Sequence, residues 1–212
     1  MIPLLHDFSN ETVLVVGGGP VGARKARTFA REARTVVVSP EFAERDFGDA
    51  ELVRAAPAPE AIADWVDRLD PALVVAATSD EAVNEAVERA AREAGALVNR
   101  ADRSGGRDAG SVAVPATVRD DPVVAAVATG GAAPALSKEL RRRIGSEIDG
   151  AGPMAELLAE IRSDLKASEA SPTDRREAVR AVVGSSDVWK ALQDGLSNGR
   201  QEAERVMEAT ND

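Results

Sequence analysis

The chain has 212 residues, 44% apolar and 29% charged, enough for one ordinary domain plus a smaller appendage and too hydrophobic for wholesale disorder. It has no cysteine and one histidine, His6, so disulfides, thiolate zinc, iron–sulfur clusters and a histidine metal cluster are excluded, and no resident metal is expected. A net charge of −10 argues against a nucleic-acid partner and leaves a small molecule as the expected ligand.

The start, Met1–Asn10, lacks a basic leader and a long apolar core, and no apolar run reaches the roughly 18 residues of a membrane span; a cytoplasmic protein without membrane contact is expected. His6 reads as an ordinary surface or packing residue. β-branched runs then alternate with alanine-rich amphipathic stretches. Thr12–Val16, Thr35–Val38, Glu51–Arg54, Leu73–Ala77 and Ala96–Val98 read as strands, and Val21–Arg31, Glu60–Leu69 and Glu81–Glu93 as helices. Near-continuous apolar strands point to burial on both faces, so the expected fold is α/β, a Rossmann-like doubly wound parallel sheet. After Asn99 a Gly/Arg/Asp-rich loop leads to an expected antiparallel pair, Val112–Val118 and Val123–Thr129, turning at Arg119-Asp120-Asp121-Pro122. Helical patterns follow at Ala135–Ile148, Met154–Ala167, Thr173–Val183 and Val188–Glu208. The expected organisation is a dinucleotide-binding domain over 1–111, a small α+β dimerisation segment over 112–150 and a helical C-terminal domain over 151–212.

Gly17-Gly18-Gly19-Pro20-Val21-Gly22 satisfies G-x-G-x-x-G directly between a buried strand and a helix. In that setting Gly17 permits the tight turn, Gly19 lets backbone approach a pyrophosphate, and Gly22 allows close helix–strand packing. Glu41, about 20 positions on, suits an adenosine ribose and favours NAD, although Arg24, Lys25, Arg27 and Arg45 stand near enough in sequence to meet a 2′-phosphate. Thr78-Ser79-Asp80 follows the fourth strand on the ligand-binding edge, and serves equally well as a helix N-cap. Thr129-Gly130-Gly131 runs into another helix start, where anions bind readily. Arg141, Arg142 and Arg143 occupy consecutive helical positions and cannot all face one ligand.

Gly17 to Lys25 resembles the GGGxVAxRK signature of the siroheme synthase N-terminal family, the precorrin-2 dehydrogenase/sirohydrochlorin ferrochelatase proteins. Three later blocks agree: Ala76-Ala77-Thr78-Ser79-Asp80 with Val83-Asn84, Val98-Asn99-Arg100-Ala101-Asp102, and Val127 through Leu136. The resemblance implies a homodimer that oxidises the tetrapyrrole precorrin-2 to sirohydrochlorin with NAD⁺, with iron insertion in some members. It implies cofactor contacts at Pro20, Val21, Pro40 and Glu41, and a catalytic carboxylate at Asp102, the last residue of the Asn99-x-x-Asp102 block. Asn99, Thr129, Gly130 and Gly131 are candidate substrate contacts, and Arg100 and Arg103 candidate partners for substrate carboxylates. The stretch from Arg103 to Val114 is longer and more glycine-rich than the family pattern, which makes Asp108 a second candidate for the base. A non-enzymatic nucleotide-sensing domain is the remaining alternative, since a fold alone does not fix a function.

Lysine is confined to Lys25, Lys138, Lys166 and Lys190, aromatics make up 3%, and acids outnumber bases 36 to 26. Such a surface suits a halophilic setting, where screening weakens self-repulsion. The expected outcome is a thermal midpoint that falls as molar salt is dialysed away; a midpoint indifferent to salt would remove this reading.

Overall fold

β-branched residues pack well on a pleated surface, and here they build strands covered on both sides. The computed structural model describes residues 2–103, 110–168 and 170–210. Five strands, β1 (Thr12–Val16), β2 (Arg34–Ser39), β3 (Glu51–Arg54), β4 (Leu73–Ala76) and β5 (Leu97–Arg100), form one parallel sheet in the order β3-β2-β1-β4-β5. They alternate with α1 (Pro20–Phe29), α2 (Ile62–Leu69, entered through a 3-10 turn at Pro59–Ala61) and α3 (Glu81–Glu93). Successive side chains of a strand point to opposite faces. Leu14, Val16, Val36, Val38 and Val74 accordingly pack with Ile62, Val66, Val83 and Val87 of α2 and α3. Val13, Val15, Val37 and Val75 pack with Ala23, Ala26 and Phe29 of α1 on the other side. The doubly wound expectation holds, with strand order reversing between β1 and β4.

The structure differs from the sequence expectation in detail. β5 continues to Arg100 because Asn99 and Arg100 pair with Val75 and Ala76 of β4 and find partners for their own side chains. The strand expected over Val112–Val118 splits in two. Its first part rides along β5: Ser111 forms a parallel bridge with Val98, and the Val112 N–H donates to the Val98 carbonyl at 2.8 Å. Its second part begins only after Pro115, which has no N–H to give a ladder.

The chain divides into two units, Met1–Val114 and Pro115–Asp212. In the second, β6 (Ala116–Asp120) and β7 (Val123–Val127) form an antiparallel pair in which Asp120 faces Val123 across a shorter turn than expected, Asp121-Pro122. The helix α4 (Pro134–Glu147) lies against both strands. Four helices follow one another: α5 (Ala151–Ala167), α6 (Pro172–Gly184), α7 (Ser186–Gln193) and α8 (Leu196–Thr210). Three of these starts carry readable signals. Gly150 precedes α5, Ser171 and Asp174 form a capping box at α6, and the Ser185 hydroxyl accepts from the Val188 N–H at α7. The single helix expected over Val188–Glu208 is broken at Asp194-Gly195 into α7 and α8. Met154, Leu157, Ile161, Val182, Val188, Leu192 and Ala203 form the core of this helical unit.

Candidate active site

Chain direction puts the ends of β1, β2, β4 and β5 on one edge of the first unit, where open α/β sheets bind ligands. Gly17 leaves β1 at φ +118°, a left-handed conformation, and a Cβ there would run into the carbonyl of Ala77 just past β4. A Cβ on Gly22 would run into the carbonyl of Gly17. These two glycines therefore hold the turn against its neighbours. Gly19 is different: a Cβ there meets nothing within 4 Å, so its face of the turn is open. Pro20, exposed at the first position of α1, lacks an N–H, and Gly19 supplies no side-chain cap. The first amides of α1 lack intrahelical acceptors, and Gly19 leaves the adjacent face of the turn open.

Gly18 was not singled out from the sequence, yet it joins the turn to the next loop. Its carbonyl accepts from the Ala43 N–H at 2.8 Å, and its α-carbon packs against the backbone of Glu41 and the ring of Phe42. Pro40 and Glu41 are thereby brought beside the glycine turn. The Ser39 hydroxyl donates to the Glu41 carbonyl at 2.7 Å and Arg54 Nη1 to the Pro40 carbonyl at 2.9 Å, while the Glu41 carboxylate stays exposed. Of the basic residues near this loop, Arg27 pairs with Asp46 at 3.7 Å.

Thr78 follows β4 beside Gly17 and is held by Asn84, a residue of α3 that is 1% exposed. Asn84 Oδ1 accepts from the Thr78 N–H at 3.2 Å and lies 2.8 Å from its hydroxyl, while Nδ2 donates to the Thr78 carbonyl at 3.0 Å. Only the Val83-Asn84 block hinted at this role. Asp80 proves to be the N-cap of α3, accepting from the N–H groups of Ala82 and Val83.

Asn99 and Arg100 leave β5 on opposite faces. Asn99 Nδ2 donates to the Val112 carbonyl at 2.8 Å, which clasps the chain returning after Gly110, and its buried Oδ1 has no partner among the described residues. Arg100 was expected as a partner for substrate carboxylates; the structure spends it within the protein. Its guanidinium donates through Nε to Asp102 Oδ1 (2.9 Å), through Nη2 to Asp102 Oδ2 (2.7 Å) and Glu81 Oε1 (3.0 Å), and through Nη1 to Glu88 Oε2 (2.8 Å). The Arg100 side chain is 5% exposed and those of Glu88 and Asp102 13% each. Arg103 pairs with Glu81. Burial works to raise the Asp102 carboxyl, but the Arg100 hydrogen bonds and charge outweigh it and hold the group below the usual carboxylate range.

Thr129, Gly130 and Gly131 belong to the second unit, ahead of α4. The Thr129 hydroxyl lies 2.9 Å from that of Ser137, and α4 begins without a side-chain cap. The three arginines of α4 diverge as expected: Arg141 donates to the Thr117 carbonyl, while Arg142 and Arg143 both pair with Glu139. His6 stacks near Phe8 and approaches Glu11 at 3.8 Å. Asp108 lies outside the described residues.

A parallel sheet reversing beside an open glycine cradle, with a fixed carboxylate past β5, defines a dinucleotide-binding domain of the Rossmann type. Residues 4–116 match the family model described as "Putative NAD(P)-binding". Over 97% of its length the chain is 30% identical to the precorrin-2 dehydrogenase of Methanosarcina barkeri, spanning 93% of that protein. It is 38% identical to the siroheme synthase of Stutzerimonas stutzeri, of which it spans 43%. The solved structure of SirC, a precorrin-2 dehydrogenase, superposes with a TM-score of 0.70 at 24% identity, covering 97% of this chain and all of that one, and so shares the fold. The chain belongs to the precorrin-2 dehydrogenase and siroheme synthase family of enzymes.

The depressed Asp102 pKa has a stability consequence with a definite sign. A carboxyl lowered on folding adds stability above its ordinary value of 3.8, and that increment is lost as pH falls through the folded value. Asp102→Asn should be less stable than the parent near neutrality, and the gap should close as the pH drops below that range. Urea unfolding of both proteins across a pH series measures it; a gap independent of pH contradicts the ion pair.

Proposed function

We propose that the chain oxidises precorrin-2 to sirohydrochlorin with NAD⁺ as hydride acceptor, Asp102 taking the proton. The observation that carries this reading is the joint presence, on one sheet edge, of an open glycine turn and an oriented carboxylate, in a chain related over nearly its whole length to a precorrin-2 dehydrogenase. In this reading Gly17, Gly19, Pro20, Val21 and Gly22 hold the pyrophosphate, Pro40 and Glu41 the adenosine ribose, and Thr78 the inner edge of the dinucleotide. The exposed Glu41 carboxylate beside the turn supports NAD over NADP, because it would accept from a ribose diol and repel a 2′-phosphate.

Bound NAD⁺ would supply the hydride acceptor. Asp102 receives the accompanying proton, and the ring gains a double bond in conjugation. A carboxylate held ionised is a weak base, but hydride loss leaves positive charge on the ring and makes its proton acidic. The same negative charge also stabilises that developing cation. The amides of Gly130 and Gly131 and the Thr129 hydroxyl, ahead of α4 in the second unit, are candidates for binding carboxylates. An anaerobic assay following sirohydrochlorin absorbance with precorrin-2 and NAD⁺ tests the reading. A second addition, of Fe²⁺, tests whether the same protein carries the product on to siroheme.

Two variants should separate binding from chemistry. Gly19→Val adds a side chain whose Cβ meets no protein atom within 4 Å, so folding should be kept while NAD⁺ affinity in calorimetry falls strongly; unchanged affinity contradicts the cradle. Asp102→Asn should keep NAD⁺ affinity and lose about 10²- to 10⁴-fold in turnover, whereas a loss under tenfold withdraws the base.

A homodimer, in which a second copy covers the half-buried valines of β6 and β7, belongs to the same reading, since an isolated two-stranded sheet is marginal in water. Light scattering at micromolar concentration and working salt should give twice the chain mass, and a monomer rejects it.

A further inference from the structure

The carboxylate proposed as the base does not stand alone, and what holds it was expected to do something else. Val98, Arg100 and Asp102 are spaced by two along β5 and its exit, so their side chains fall on the same face, toward α3. Arg100 there meets Asp102 as a two-pronged fork, with Nε and Nη2 each on a different carboxylate oxygen at 2.9 and 2.7 Å. Its remaining Nη1 is held at 2.8 Å by Glu88 of α3, whose other oxygen accepts from Arg92 at 2.7 Å. The fork therefore fixes both the position and the plane of Asp102, and is itself fixed to a helix packed on the sheet.

We infer that Arg100, anchored by Glu88, is the positioning residue that sets the orientation of the Asp102 carboxylate. The inference rests on the reading of Asp102 as the base. All three guanidinium nitrogens of Arg100 are engaged within the protein, and its side chain is 5% exposed. Two alternatives are thereby set apart. A substrate-binding arginine would be left with a free edge, as a buried one gripping three carboxylates is not. A merely structural ion pair would not need both prongs of the fork to close on Asp102, the carboxylate read as the base. Among the described residues, the charged groups around Asp102 are Arg100 and Arg103 from its own segment and Glu81 and Glu88 from α3, with Arg92 paired to Glu88. Three carboxylates meet three guanidiniums, and removing Arg100 takes away the cation that lies directly on Asp102 while Glu81 and Glu88 stay beside it.

The test uses Arg100→Gln and Arg100→Lys in the full chain, with folding checked by circular dichroism and by parental NAD⁺ affinity. The Asp102 carboxyl is followed by carbon NMR titration, its signal identified by its loss in Asp102→Asn. In Arg100→Gln the Asp102 midpoint should rise from below the usual range to its ordinary 3.8 or beyond, because the paired cation is gone and the acidic neighbours remain. Turnover should fall by about 10- to 100-fold with KM nearly unchanged, as expected when a reacting group is misplaced by about an ångström. Arg100→Lys, a single-point donor in place of a fork, should restore the low midpoint in large part and turnover only in part. If Arg100→Gln does not fold, Arg100→Lys carries the test, and turnover equal to the parent's overturns the inference.

An unmoved Asp102 midpoint with turnover within twofold of the parent overturns it, as does a raised KM with unchanged kcat, which would make Arg100 a substrate ligand. If the parent fails to oxidise precorrin-2 at all, the functional reading fails, while the NMR titration still decides whether Arg100 holds Asp102. If Asp102→Asn keeps full turnover, Asp102 is not the base and the inference falls with it.

Discussion

The first unit depends on a contact that tolerates no side chain. At Gly17 the backbone leaves β1 so close to the Ala77 carbonyl, and at Gly22 the helix returns so close to the Gly17 carbonyl, that any Cβ would have to be displaced. This approach locks β1, α1 and the end of β4 together at the point where the strand order reverses. Its consequences spread along the same edge. Gly18 bears on the loop after β2 and brings Glu41 alongside, and Ala77 leads into Thr78, which Asn84 of α3 holds by three hydrogen bonds. α3 in turn supplies Glu81 and Glu88 to the group beyond β5. The open face at Gly19 and the fixed carboxylate at Asp102 are thus two ends of one packed arrangement.

The ionic cluster around Arg100 is a poor device for stability. Removing a guanidinium and carboxylates from water costs several kcal/mol per ion, and apolar replacements of similar volume are often neutral or better. Its value lies in geometry. A carboxylate two residues past a strand end has few restraints of its own, and the fork from a buried arginine supplies two directional ones. The neighbouring Asn99 acts on the opposite face by a different means, tying the returning chain to β5 through the Val112 carbonyl. Together they define both sides of the exit from β5.

Much of this was legible in the sequence because the relevant signals are local. Val13-Leu14-Val15-Val16 followed by a glycine triplet and a helical pattern specifies strand, turn and helix without reference to distant residues, and all five parallel strands were expected. The misses are tertiary. The fifth strand is expected to end at Val98 and a polar loop to follow Asn99, but pairing with β4 and side-chain partners on α3 and after Gly110 extend the strand through Arg100. The apolar run from Val112 read as one strand, although its first residues serve β5 and its last the second unit. Arg100 reads from the sequence as a candidate partner for substrate carboxylates because nothing nearby marks Glu88, twelve residues back, as its counter-ion. Gly18 went unassigned for the same reason: its contacts are with Glu41 and Phe42, across the sheet edge.

The overall charge sets a constraint that the site has to answer locally. On the proposed reading a polycarboxylate macrocycle approaches a protein of net charge −10, so the long-range field is repulsive. Screening shortens that repulsion from about 10 Å at 0.1 M salt to about 3 Å at 1 M, leaving only groups in near contact to attract the substrate. Side-chain cations at the carboxyl edge do not fill that role readily, because Arg100 is buried among acids and Arg103 is paired with Glu81. Uncapped backbone amides at helix starts carry partial positive charge without being ionised, so they do not titrate, and at high salt they act on groups in near contact. An acidic surface is therefore compatible with an anionic ligand when recognition falls to backbone amides such as those at the start of α1.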